Sequence, residues 1–252
     1  LINAADGYHL WSQNFDGEMT DIFALQDKIA QQVAQKLGVT APVATRAAYA
    51  ATPPTKNLAA YDAYLRARAL QFGGRTGQDG LRAIQEYDAV VRMDPEFALA
   101  WAHLAQATGQ LLGSFDASDE TLAKARHAAS TALRLAPDLP EAHTAQAYVS
   151  LVADRDFERA ERELSHAEKL RPHDPEAALL RAWVEYWSGR YGERLTALAT
   201  RAVDLDPQGP RTLWLLGGAM VVSGEFALAE EWLARPPTRK LAAPVLFRAL
   251  NR

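Results

Sequence analysis

The sequence contains no cysteine and few β-branched aliphatic residues, with 12 valines and 4 isoleucines among 252 residues. The first absence excludes disulfides, thiolate metal sites and cysteine nucleophiles. The second argues against a sandwich, a barrel or a parallel sheet, because β-branched residues favour strands. Alanine and leucine dominate instead, with 49 and 32 residues, and both favour helices. We therefore predict an all-α protein.

The sequence also lacks an excess of positive charge and a long apolar run. Its formal net charge is −4 and its pI is about 5.9, whereas a module that binds duplex nucleic acid needs a basic face. The longest apolar stretch, residues 213–222, is too short to span a bilayer. We therefore predict neither a nucleic-acid partner nor a membrane span for this piece.

From residue 57 onward the chain repeats, and a proline closes each of four segments, at Pro95, Pro137, Pro172 and Pro207. Each unit is predicted to be two antiparallel helices, the second of which the proline ends. Apolar or small residues recur twelve before each proline (Ala83, Ala125, Ala160, Leu195), five before (Val90, Ala132, Ala167, Ala202), two before (Met93, Leu135, Leu170, Leu205) and ten after (Ala105, Ala147, Ala182, Gly217). We expect the small residues to let helices approach closely and the larger ones to fill the gaps between stacked pairs.

This register resembles the tetratricopeptide repeat (TPR). The best matches are the run 156–160 with Ala167 and Pro172, and Leu216-Gly217 with the run 224–229. Arg181 and Gln146 depart from the pattern, because their positions are usually apolar in the family. The resemblance implies a helical-hairpin solenoid, an α-α superhelix of about five units over 57–235, that binds a protein or peptide partner in a concave groove.

The flanking segments differ from the repeats. Residues 1–38 are predicted to be a β-hairpin (1–16) and a helix, 39–56 a linker, and 236–252 a capping helix or truncated repeat. The first segment resembles the last hairpin and helix of a TolB-like amino-terminal domain. That resemblance implies a larger bacterial protein with an upstream nucleotide cyclase or winged-helix domain. We expect this chain to be a fragment of it, cytoplasmic rather than periplasmic, although such proteins place their repeats on either side of the inner membrane.

The family register also suggests a binding surface on the first helix of successive units. Its groove-facing positions are Tyr148, Leu151, Leu179, Trp183, Trp187 and Trp214. Trp183 and Trp187 share a helix face, and exposed aromatics there would anchor an apolar peptide. The alternative is that both rings pack between helices, as most large aromatic side chains do.

No motif for catalysis or cofactor binding stands out. The sequence contains no metalloprotease, phosphate-loop, serine-hydrolase or dinucleotide-binding motif, and its six histidines show no metal-ligand spacing. We predict no enzyme activity, no cofactor and no metal.

The expected role is a protein-protein interaction scaffold. Self-association, or control of an upstream effector domain, is the alternative, and an enzyme with an unrecognised helical active site is a third hypothesis.

Overall fold

The computed structural model describes residues 22–36, 54–73, 77–114 and 118–235, and the regular structure in these ranges is helical throughout. The all-α prediction is confirmed for them. The predicted β-hairpin at 1–16, most of the linker and the C-terminal segment 236–252 lie outside the described residues. The chain divides into two compact units, Leu1–Leu58 and Ala59–Arg252.

The described part of the first unit contains one long helix, α1, at Ile22–Lys36. Its apolar residues recur at helical spacing, and Lys36 in its last turn complements the negative end of the helix dipole. The helix predicted after the N-terminal hairpin is therefore confirmed.

Ten helices follow within the described ranges, the first beginning at the boundary residue Leu58. They are α2 (Leu58–Gly73), α3 (Gly77–Met93), α4 (Ala98–Ser114), α5 (Asp119–Leu135), α6 (Pro140–Val149), α7 (Phe157–Leu170), α8 (Pro175–Trp187), α9 (Glu193–Leu205), α10 (Pro210–Ser223) and α11 (Phe226–Leu233). A π-helical turn, Ser150–Asp154, continues α6. It ends at Arg155, whose backbone is left-handed with φ 55°.

Prolines set the helix boundaries as predicted. Helices α3, α5, α7 and α9 each end two residues before one of the four repeat prolines, since proline disfavours helical backbone in the residue before it. Three of the following helices begin with proline at the first position, where the missing N–H would be unpaired anyway. Asp174 also caps α8, because its Oδ1 accepts a hydrogen bond from the Glu176 backbone N–H at 3.0 Å.

The helices of the second unit pack in neighbouring pairs: α4 with α5, α6 with α7, α8 with α9, and α10 with α11. The first helices of successive pairs also touch, α4 on α6, α6 on α8 and α8 on α10. Helices α2 and α3 are joined by the Tyr87 hydroxyl, which donates to Gln71 Oε1 at 2.8 Å. This arrangement is compatible with a helical-hairpin solenoid. None of the described helices has the length and apolarity needed to cross a membrane.

The recurring small positions form the core, as predicted. All residues twelve and five before the repeat prolines are fully buried, and so are Ala105, Ala147, Ala182 and Gly217. The expectation for the position two before the proline is wrong in two units, because Met93 and Leu170 are each 43% exposed. Leu205, at the same position in its unit, is partly buried and packs against the core.

The carbonyl of every repeat proline accepts a side-chain hydrogen bond. Trp101 Nε1 donates to Pro95 at 2.9 Å, and His143 Nε2 lies 2.7 Å from the oxygen of Pro137. The carbonyls of the other two prolines accept from guanidinium groups. Arg201 donates to the Pro172 oxygen at 3.1 Å, and Arg235 donates to the Pro207 oxygen at 3.2 Å. The unit boundary is thus tied at the same backbone atom each time, although the donor differs.

Candidate partner-binding surface

The six residues predicted for the groove fall into three classes of exposure. Tyr148, Leu151 and Leu179 are buried, at 1–2% exposure. Trp183 and Trp187 are half-buried, and Trp214 is 38% exposed. The predicted set is therefore part core and part surface.

Tyr148 is buried because three neighbouring elements cover it. Its ring stacks on Trp183 of α8 with centroids 6.3 Å apart, and the Arg211 guanidinium of α10 lies 5.7 Å from its centroid. A β-carbon at Gly109 of α4 would fall 2.5 Å from the Tyr148 ring, so only glycine fits there. Tyr148 therefore serves packing between successive pairs rather than an accessible groove.

Leu151 and Leu179 are buried in the same way. Leu151 packs with Leu164 and Val184, and Leu179 packs with Leu195 and Leu213. Each cluster joins helices of consecutive pairs. These two side chains stabilise the stack and offer no surface to a partner.

The tryptophans belong to a continuous row of rings. The ring centroids of Trp183 and Trp187 are 6.1 Å apart. Those of Trp187 and Tyr186 are 6.3 Å apart, and those of Tyr186 and Tyr191 are 5.9 Å apart. Tyr191 is 53% exposed, and burial raises the pKa of Tyr186 above its usual value. We call Trp183, Tyr186, Trp187 and Tyr191 the aromatic patch.

Arg155 borders the aromatic patch. Its guanidinium lies 4.2 Å from the Trp187 ring centroid, a distance at which the cation is attracted to the ring face. No carboxylate pairs with Arg155 among the described residues, although the neighbouring Asp154 pairs with Arg126 at 2.7 Å. The indole N–H of Trp187 is buried and has no acceptor in the described part of the chain. The aromatic patch thus presents ring faces beside an exposed cation.

Other arginines near the patch are held by carboxylates. The buried carboxylate of Glu185 accepts from Arg190 at 2.8 Å and lies 3.0 Å from Arg194. The hydrogen bond to Glu185 raises the pKa of Arg190 above its usual value. This buried anchor fixes the turn that carries Tyr191, so the patch is preformed.

A second polar network reaches the aromatic patch through Tyr148, whose ring stacks on Trp183. Arg211 of α10 donates to Glu176 of α8, with one contact at 2.8 Å. Burial disfavours the charge on Arg211, but the adjacent carboxylate raises its pKa above the ordinary value. Burial also raises the pKa of the Tyr148 hydroxyl, which contacts the same guanidinium. Three successive first helices are thereby cross-linked.

One cluster of two histidines and a glutamate was not predicted from the sequence. His143 of α6 meets Glu163 and His166 of α7, and their ligand atoms all lie within 4.8 Å of one another. The only sequence signal is the i,i+3 spacing of Glu163 and His166, since His143 stands 20 residues before Glu163. These are the side chains in the described ranges that could hold a metal ion.

Comparison with known proteins assigns no family to the chain: no protein-family model matches it, and no curated protein matches it. The resemblances to TPR and TolB-like domains remain predictions from the residues.

Proposed function

We propose that this chain is a non-catalytic protein-protein interaction scaffold of a larger bacterial regulatory protein. In this proposal a partner segment docks on the aromatic patch beside Arg155. The observation that carries it is the row of four rings, half-buried to exposed, with an exposed arginine at its border that pairs with no carboxylate of the described residues. The resemblance to TPR units adds support, because the first helix of a TPR pair lines the concave surface of the family.

The chemistry of the patch favours one kind of partner. Tyrosine, tryptophan and arginine are the residues that most often dominate binding energy at interfaces. Ring faces would cover an apolar side chain, and Arg155 would pair with an acidic one. We therefore propose a short peptide segment with an apolar anchor next to an aspartate or glutamate. Binding needs little reorganisation, because the Glu185 anchor already holds the surrounding turn.

Selection of a random peptide library on the purified chain tests this proposal. The selected peptides are expected to carry an acidic residue beside an apolar one. Fluorescence anisotropy then compares the wild type with Tyr191→Ser, with Arg155→Asn and with the control Val222→Ser. Asparagine tolerates the left-handed backbone of Arg155, so that variant removes the charge with little strain. Val222 is 57% exposed on α10, outside the patch.

Affinity should fall about tenfold or more in the two patch variants and stay unchanged in Val222→Ser, because each lost anchor is worth more than about 1.4 kcal/mol. A second test replaces Trp183 and Trp187 together by alanine, with circular dichroism to confirm folding. Peptide capture that survives all of these changes in folded protein would overturn the proposal.

Self-association is a second candidate, favoured by the exposure of Trp214. Trp214 stands seven residues after its repeat proline, and its counterparts Ala102, Thr144 and Leu179 are each at most 1% exposed. In those units the next helical pair covers the position. Trp214 is the last of the series among the described residues, so another helical pair, including one from a second copy, would suit its face.

Sedimentation velocity separates the two candidates. A dimer that dissociates on Trp214→Ser would support self-association, and a wild-type monomer over the micromolar range would rule it out. The peptide measurements on the aromatic patch are independent of this result.

A further inference from the structure

We propose that His143, Glu163 and His166 form a binding site for a divalent transition-metal ion, with Zn²⁺ as the best-suited ion. His143 lies in α6, and the other two lie one turn apart in α7. The Nδ1 atom of His143 is 2.8 Å from Glu163 Oε2. The rings of the two histidines face each other at 5.3 Å between centroids. An ion here would link both helices of one pair.

The orientation of His143 matches that of a metal ligand. Its Nε2 lies 2.7 Å from the carbonyl oxygen of Pro137, so a proton on Nε2 satisfies that bond. Metal-bound histidines usually donate their other ring N–H to a backbone carbonyl or carboxylate in this way. The remaining lone pair on Nδ1 then points toward the Glu163 carboxylate, which is also an acceptor. Two acceptors at this separation need a cation between them, either a proton or a metal ion.

The ligand types select the class of ion. Two imidazoles and one carboxylate suit Zn²⁺ and related ions, whereas Mg²⁺ and Ca²⁺ prefer oxygen ligands throughout. Tetrahedral zinc with bonds of about 2.1 Å places its ligand atoms about 3.4 Å apart. The three ligand atoms, within 4.8 Å of one another, reach that separation through side-chain rotation. Such a set leaves a fourth position for water or for a group from a partner.

The burial of the cluster fits binding from solvent. The side chains of His143 and Glu163 are 13% and 19% exposed, so they are held in place by their surroundings. His166 is exposed and forms the open side. An ion can therefore enter without disturbing the core.

The stacking of the helical pairs does not require these residues. The corresponding positions hold Trp101, Ala128 and Thr131 in the preceding pair, and Ala178, Leu198 and Arg201 in the following pair. Those two pairs form the same helical hairpin without a carboxylate or histidine there. The combination in the α6–α7 pair is therefore an addition to the repeat and not part of its packing.

Calorimetric titration of the chelator-treated full chain with Zn²⁺, in excess Mg²⁺, tests the site. We expect saturable binding of one Zn²⁺ per chain. His166→Gln and Glu163→Gln should each weaken it at least tenfold. His173→Gln is the matched control, because His173 is exposed and outside the cluster. It should bind as the wild type does.

Thermal unfolding gives a second readout. An ion that binds only the folded protein raises its melting temperature by mass action. Zn²⁺ should therefore stabilise the wild type and His173→Gln, but not His166→Gln. Absence of saturable binding in the wild type would overturn the proposal. So would His166→Gln and Glu163→Gln variants that bind Zn²⁺ as tightly as the wild type does. Circular dichroism checks that each variant is folded. His166 is exposed, so its replacement should leave the fold intact.

Discussion

Gly217 of α10 lies so close to Leu233 of α11 that a β-carbon at Gly217 would fall 2.6 Å from the Leu233 Cγ atom. Leu233 is itself buried, and its branch point is not free to swing away. The corresponding positions of the other pairs hold alanine, whereas Gly217 brings no side chain to this contact. The adjacent Gly218 has open space where its β-carbon would be.

This pair of glycines gives a prediction with its own control. Gly217→Ala should destabilise the fold by about 1–3 kcal/mol, because the added methyl overpacks the contact with Leu233. Gly218→Ala should be neutral or stabilise by up to about 1 kcal/mol, since alanine is the better helix former. Chemical denaturation at neutral pH measures both. Equal effects of the two substitutions would show that α10 and α11 do not approach as described.

The buried His103 predicts a loss of stability in acid. Burial among the rings of Tyr64, Tyr87 and Phe72 lowers the pKa of His103 to about 4, while the ring nitrogen Nδ1 lies 3.1 Å from Gln106 Oε1. Below a pH of about 6.5, the pKa of histidine in the unfolded chain, the His103 imidazole binds a proton in the unfolded chain but stays neutral in the folded one. Stability is therefore complete above about pH 6.5 and falls as the pH drops toward 4.

The expected loss across that window is about 3 kcal/mol, at about 1.4 kcal/mol per pH unit. Denaturation curves between pH 7 and pH 4 measure it, and His103→Gln removes the contribution of this histidine. The slope of the variant should be flatter than that of the wild type. His173→Gln should keep the wild-type slope, and parallel slopes for the wild type and His103→Gln would contradict the burial of a neutral imidazole.

The bond between Arg211 and Glu176 joins successive first helices and predicts a stability effect. Both side chains are about three-quarters buried. Arg211→Gln should cost about 1–3 kcal/mol, because it leaves the Glu176 carboxylate without its cation and removes the group over the Tyr148 ring. Urea denaturation measures the change.

The exposed pair Arg66 and Asp62 is the matched control. Their side chains are 57% and 66% exposed, so Arg66→Gln should change stability by less than about 0.5 kcal/mol. If Arg211→Gln were as mild as Arg66→Gln, the bond between α8 and α10 would contribute nothing to the stack.

The repeat register could be predicted from the sequence because its causes are local. Proline at positions 95, 137, 172 and 207 ends a helix through its own backbone chemistry, and alanines at fixed offsets record close approach. The burial of Tyr148 and Leu179 could not be predicted from the same register. It depends on how far the next pair covers the first helix, which is a tertiary property.

The cluster of His143, Glu163 and His166 also depends on tertiary packing. The sequence shows only the i,i+3 spacing of Glu163 and His166, because His143 comes from another helix. The exposure of Met93 and Leu170 could likewise not be predicted, because their apolar character alone favours burial.

Hydrogen-deuterium exchange with and without a selected peptide tests the central claim, that partner recognition lies on the aromatic patch of a preformed helical stack. We predict slower exchange on peptide binding in α8, in the turn carrying Tyr191 and around Arg155. Helices α3 and α5 should exchange at unchanged rates. Protection confined to α3 or α5, with α8 unaffected, would contradict the account.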